Sequence, residues 1–247
     1  MPRHPRFRIS GSALCPAAQR AGLALALRGL AFRPLPGPGP TRLLIEQAPG
    51  LVIAIESPVA MLELIEDLHP DLPLHPAEPA LRARHRQLIA AADAAQAPMA
   101  AVTAARNLRD LDIAVFALRQ RLLAIEAQLL QLPPEAGAGS NLDIALAPLV
   151  WRLALLDRRH GLHLGDGLAC AAARLARLLA RPEARRVLSL GAGRAFLEAL
   201  AARGAAVAAL AEDWDRCFDS APACTVLPLR ALPRGAARPL FRHDGSR

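Results

Sequence analysis

Four prolines between Pro70 and Pro79 split this chain into two stretches with different hydrophobic periods, and that split limits its possible folds more than any other feature. Proline lacks the N–H that a helix interior or an inner strand needs, so so dense a run reads as a linker. Before it, apolar residues come in short runs. Phe7-Arg8-Ile9-Ser10 reads as a strand, Pro16 to Gly29 as a helix stopped by glycine, and Leu30 to Leu35 as a second strand. Pro34-Leu-Pro-Gly-Pro-Gly-Pro40 cannot be helical. Leu43 to Gln47 and Leu51 to Ile55 form a hairpin about Ala48-Pro-Gly50, and Glu56 or Ser57 caps a helix from Val59 to Leu68. This order predicts a thioredoxin-like α/β domain over residues 1–76.

Beyond the linker the period becomes helical, at Pro79 to Ala97, Leu108 to Leu132, Ser140 to Arg159 and Leu168 to Ala180. An all-helical domain is therefore expected over residues 77–210, with a Pro/Arg-rich extension over 211–247. Ser140-Asn-Leu-Asp143 has capping-box spacing, which makes Asp143 a structural residue. Val187 to Gly193 imitates the glycine loop of a nucleotide-binding unit. Too little chain follows it to supply the strands such a unit needs, so a helix from Arg194 to Leu210 is expected instead.

Charge and cysteine usage narrow the function classes. The formal net charge is +8 and the chain contains no lysine, so all 30 basic residues counted are arginines. They are scattered at solvent-facing positions with few aromatics between them, a pattern that argues against nucleic acid and suits small anions. Cys15, Cys170, Cys217 and Cys224 have neither CxxC spacing nor a histidine cluster beside them, so neither a metal site nor a disulfide framework is expected. A reducing cytoplasm follows as the simplest compartment. Arg3, Arg6 and Arg8 ahead of an apolar stretch superficially imitate a signal peptide, but Arg28 interrupts that stretch and no apolar run is long enough to span a membrane.

Cys15 is the leading candidate for chemistry. It stands directly before Pro16 at the start of an apolar helix, where the helix dipole favours negative charge, so a partly ionised thiol is expected there. Ser57 opens the later helix, and the free N–H groups of that turn suit a carboxylate. Arg20, Arg33 and Arg42 could meet ligand carboxylates, and Ser12 could supply a hydroxyl. Trp151 and Phe116 read as core residues, and His69 and His75 as structural ones.

Cys15-Pro16, the run Leu51-Val-Ile-Ala-Ile-Glu56-Ser57-Pro58, the helix after it and the proline linker, in this order and spacing, resemble the cytosolic glutathione transferase superfamily in its Cys-Pro, omega-like branch. The resemblance covers about Phe7 to about Leu210. It implies a thioredoxin-like domain followed by an all-α domain, with Cys15 as nucleophile and Glu56-Ser57 holding the γ-glutamyl end of glutathione. The third strand, at Arg42 and Leu43, would receive the rest of the tripeptide. It also implies glutathione as co-substrate, a small electrophile or mixed disulfide as partner, a homodimer, and a role in detoxification or stress response. Ala18 takes the place of a second CxxC cysteine, so the mechanism would be monothiol. The family's second helix and the cis-proline before its third strand have no clear counterpart here: only Pro34 to Arg42 fills that space, and Pro40 is the nearest proline. The alternative is a non-catalytic binding or regulatory module of the same fold.

Overall fold

A computed structural model describes residues 7–48, 51–133 and 139–210. The expectations for the extension 211–247, Cys217, Cys224, Arg3 and Arg6 lie outside those residues. Four strands form one mixed sheet in the order β2-β1-β3-β4, with β1 at Phe7–Ser10, β2 at Phe32–Leu35, β3 at Arg42–Ala48 and β4 at Leu51–Ile55. β1 runs parallel to β2 and antiparallel to β3, and β3 is antiparallel to β4. The parallel β1–β2 pair is joined by α1 (Pro16–Leu27), as a parallel connection requires. Side chains alternate across the sheet, so Phe7, Ile9, Leu43 and Ile45 are buried. Leu23 and Leu25 of α1 and Met61, Leu62 and Ile65 of α2 (Pro58–Asp67) join them in one core.

The chain passes from β2 to β3 without a helix. Gly11, at φ +103°, lets the backbone of that connection close in, since a Cβ there would lie 3.0 Å from Thr41 Cα. Any side chain at Gly11 would collide with main chain, which has nowhere to go. The Gly39–Pro40 bond is trans, like every described peptide bond.

After the linker come α3 (Pro79–Ala94), α4 (Gln96–Ala104), α5 (Leu108–Leu129), α6 (Asn141–His160), α7 (Ala169–Leu179), α8 (Pro182–Val187) and α9 (Leu190–Ala202), then a 3₁₀ turn at Ala206–Leu210. The single helix expected from Pro79 to Ala97 is divided in the structure: α3 stops at Ala94 and α4 starts at Gln96, with Pro98 in its first turn, where no N–H is needed. The last helix was expected from Arg194, whereas Ser189 caps α9 by accepting from the Ala192 N–H at 3.1 Å. Gly191 and Gly193 are thus helical and not a ligand loop; Gly193 lets α9 pack against Leu155 of α6. Phe116 was expected in the core and is instead 67% exposed.

α6 is the central helix. Its capping box is complete: Asp143 N–H donates to Ser140 Oγ at 3.2 Å, and Asp143 Oδ2 accepts from Ser140 N–H at 3.1 Å. Arg174 of α7 holds the other oxygen at 2.7 Å. Glu66 of α2 fastens the sheet layer to the helices, accepting from Arg28 at the C-cap of α1, from the linker amides of Leu74 and His75, and from Asn141 Nδ2 at 3.1 Å. One carboxylate thus meets four donors from three segments.

Candidate active site around Cys15

The sheet register gathers the candidate residues at one end. Ser10, last in β1, pairs with Arg42, first in β3, and Leu43 pairs with Ile55, last in β4. The segments leaving that end carry Ser12 and Cys15 on one side and Glu56 and Ser57 on the other.

Cys15 is the half-buried N-cap of α1, in extended conformation at φ −70° and ψ 133°, with Pro16 as the first helical residue. Its N–H donates to Ser12 O at 2.9 Å, closing a turn, and its carbonyl accepts from the Gln19 N–H at 3.1 Å. Ser12 Oγ accepts from the Leu14 N–H at 3.2 Å, so the Ser12 hydroxyl shapes the turn that presents the thiol. Ser57 is the N-cap of α2 and accepts from the Ala60 N–H at 3.4 Å, a long bond that leaves the helix start available to an anion. Arg42 Nε donates to Glu56 Oε1 at 2.7 Å, and both side chains are about half exposed. Leu43 is fully buried, so its side chain serves the core and only main chain could serve a ligand.

Arg20 has partners other than a ligand. It is 1% exposed, with Nε donating to Ala145 O at 3.0 Å and Nη1 to Asp93 Oδ1 at 2.6 Å. It fastens α1 to α3 and α6. Burial lowers its pKa, and Asp93 opposes the shift. Arg33 stands exposed on β2.

Sequence reasoning missed Arg152. This α6 residue is 3% exposed and donates from Nη2 to Leu14 O at 2.5 Å and from Nη1 to Pro148 O at 2.7 Å. Its guanidinium carbon lies 5.8 Å from the Trp151 ring centroid and 5.3 Å from that of Phe196, within cation–π range. Burial pushes its pKa down to about 10, so it stays charged at neutral pH, and the Cys15 and Arg20 charges act on it in opposite senses. Among the described residues its partners are carbonyls and rings. Only its position one residue after Trp151 in an otherwise apolar helix could have marked it, since arginines are common throughout this chain.

No protein-family model and no curated protein matches the sequence. Solved structures do match. Omega-class glutathione transferase 1C from Trametes versicolor superposes with a TM-score of 0.59 at 21% identity, over 81% of this chain and 98% of that one. A tau-class glutathione S-transferase from mango, Mangifera indica, gives 0.64 at 17%, over 79% and 98%. A glutathione transferase from Pseudomonas putida, solved with one glutathione disulfide per subunit, gives 0.63 at 18%, over 77% and 94%. The chain therefore has the glutathione transferase fold, a thioredoxin-like layer followed by an all-helical one.

Proposed function

We propose that this protein is a member of the glutathione transferase superfamily, in its Cys-type branch, and acts as a glutathione-dependent thiol transferase or reductase on small electrophiles or mixed disulfides. One observation carries the reading: a half-buried cysteine caps α1 at the sheet end where Arg42, Glu56 and Ser57 converge. The fold supports it, and so do neighbours crystallised with glutathione or its disulfide.

In this mechanism the Cys15 thiolate attacks the glutathione sulfur of a mixed disulfide R–S–S–G. The Cys15–S–S–G bond forms as the S–S bond of R–S–S–G breaks, and the electron pair leaves with R–S⁻. A second glutathione thiolate then attacks the same sulfur, releasing glutathione disulfide and restoring the Cys15 thiolate. Arg152 and Arg20 place two positive charges within Coulombic reach of that sulfur. The Ser57 helix start would hold the γ-glutamyl carboxylate, and Arg42, once released from Glu56, the glycyl carboxylate, while Glu56 pairs with the γ-glutamyl ammonium. The reading implies residues 1–76 as the glutathione-binding domain and residues 77–210 as the helical one, and a reducing compartment in which glutathione stays a thiol.

We also propose a homodimer, supported by apolar residues exposed on β4 (Leu51, Val52, Ile53) and α5 (Ile113, Phe116). Light scattering during gel filtration checks it. A second reading, a non-catalytic module, is favoured by the helix-free β2–β3 connection and by the Arg42–Glu56 pair, which occupies two candidate ligand groups. Retention on immobilised glutathione with disulfide reduction by wild type but not by Cys15→Ser supports the enzyme. Retention without turnover supports the module, and no retention refutes the enzyme.

A further inference from the structure

The proline linker is held to both layers through one short segment, residues 74–76. Its Leu74 and His75 amides donate to Glu66 of α2, and the Leu74 carbonyl accepts from the Asn141 N–H at the start of α6 at 2.8 Å. Arg82 of α3 adds a bond from Nε to Pro76 O at 3.0 Å. The His75 side chain, 2% exposed, fastens the same segment by its ring, with Nε2 lying 3.0 Å from Oε1 of Glu63 in α2.

That ring fits its place as a neutral group. Although burial raises it, Arg86 and His75 together hold the Glu63 carboxyl below its ordinary value. Glu63 is therefore ionised at neutral pH and can only accept, so the shared proton sits on His75 Nε2 and Nδ1 is the bare nitrogen. Nδ1 is buried and has no hydrogen-bond partner. A second proton would enter there as a buried, charged N–H without an acceptor. Both carboxylates of the cluster already hold an arginine: Arg86 of α3 donates to Glu63 from Nη2 at 2.6 Å and from Nε at 3.2 Å, and Arg28 donates to Glu66. His85 of α3 also faces the ring, with centroids 6.5 Å apart. Burial accordingly holds the His75 pKa below its ordinary value; Glu63 and Glu66 oppose the shift and Arg86 adds to it. An opened linker returns the ring to water, where it binds a proton near about pH 6.5, so acid favours the open form.

We propose that His75 is an acid-released latch: protonation expels its ring from the pocket against Glu63, and residues 74–76 come away from α2 and α6 while both layers stay folded. The latch stands independently of the Cys15 chemistry.

The test is hydrogen–deuterium exchange of the full chain, followed by mass spectrometry and corrected for the intrinsic pH dependence of exchange. From about pH 7.5 to about pH 5, above the ordinary carboxylate range, protection of the amides at residues 74–75 should fall about three- to tenfold, with α6 peptides unchanged. His75→Gln keeps a side-chain donor towards Glu63 and gains no proton, so its linker should be equally protected at both values. His160→Asn, which removes another histidine with a lowered pKa, should behave as wild type. Where His75→Gln opens the linker at every pH, proton NMR decides: the imidazole signal missing from that variant must titrate in wild type over the range in which the linker amides lose protection. Constant wild-type protection, equal loss in α6 and linker, a His75→Gln linker that opens with acid as in wild type, a His160→Asn linker that no longer opens, or an imidazole that titrates outside that range overturns the proposal.

Discussion

Arg42 and Arg152 carry the same charge in unlike settings. Arg42 is about half exposed and paired with Glu56, so its pairing is worth at most about 1 kcal/mol and can be exchanged for a ligand at little cost. Arg152 is enclosed by Leu14, Pro148, Trp151 and Phe196, with a charge that burial disfavours. A pKa held near 10 corresponds to a penalty on the order of 3 kcal/mol, carried by the folded state at every pH below that value. On the function proposed above, the expensive charge acts on the Cys15 sulfur and the inexpensive pair opens for the ligand.

The largest effect should come from Cys15→Ser, which removes the proposed nucleophile that the Arg152 charge serves. Turnover with a glutathione mixed disulfide should fall by at least about 10³-fold with the melting temperature nearly unchanged. Residual turnover within tenfold of wild type would dissolve the contrast, since the buried Arg152 charge would then serve no reacting atom. Arg152→Met should separate function from stability: activity falls about 10- to 100-fold, as when a charged group is lost from a hydrogen-bonded site. The melting temperature should hold or rise, because an apolar side chain of similar length removes the buried charge. A large loss of stability with activity kept would make Arg152 a structural clamp.

Buried imidazoles supply a control for the buried guanidinium, because they can release their proton. Burial lowers His75, and burial followed by Arg159 lowers His160 to about 4. For a base with a lowered folded pKa, the unfolded chain binds more protons below its ordinary value of about 6.5. Stability should therefore fall as pH drops from about 6.5 towards 4, and the melting temperature by a few degrees, less so in His160→Asn. Ser57→Ala should weaken glutathione retention about three- to tenfold, through one lost hydrogen bond and a poorer cap. The smallest effect belongs to the exposed pair. A double-mutant cycle on Arg42 and Glu56 should give a coupling below about 1 kcal/mol in stability, while each single variant weakens glutathione retention.

Much of the fold was legible because local chemistry is strong in this chain. Phe7–Ser10, the helix after Pro16, the antiparallel pairing of β3 with β4 and the Ser140–Asp143 box follow from alternation, proline placement and capping. The expected helix end at Ala97 fails because the proline after it can open a helix as readily as end one, by the same missing N–H. The glycines at 191 and 193 misled because their reason is the approach of α9 to Leu155, which no neighbouring residue announces. Phe116 misled because its helical spacing does not reveal which face of α5 remains uncovered.

The amino-acid order by itself determined the thioredoxin-like layer, the proline break, the helices and the pairing of a cysteine with a helix start, because each depends on residues within a few positions of one another. Tertiary structure decided the rest. It turned Arg20 inward to Asp93 and Ala145, set Arg152 against Leu14 across 138 residues of chain, and pinned the His75 ring to Glu63. Charge and burial acquire their energies only when distant segments exclude water around them, and no local pattern records which segments will meet.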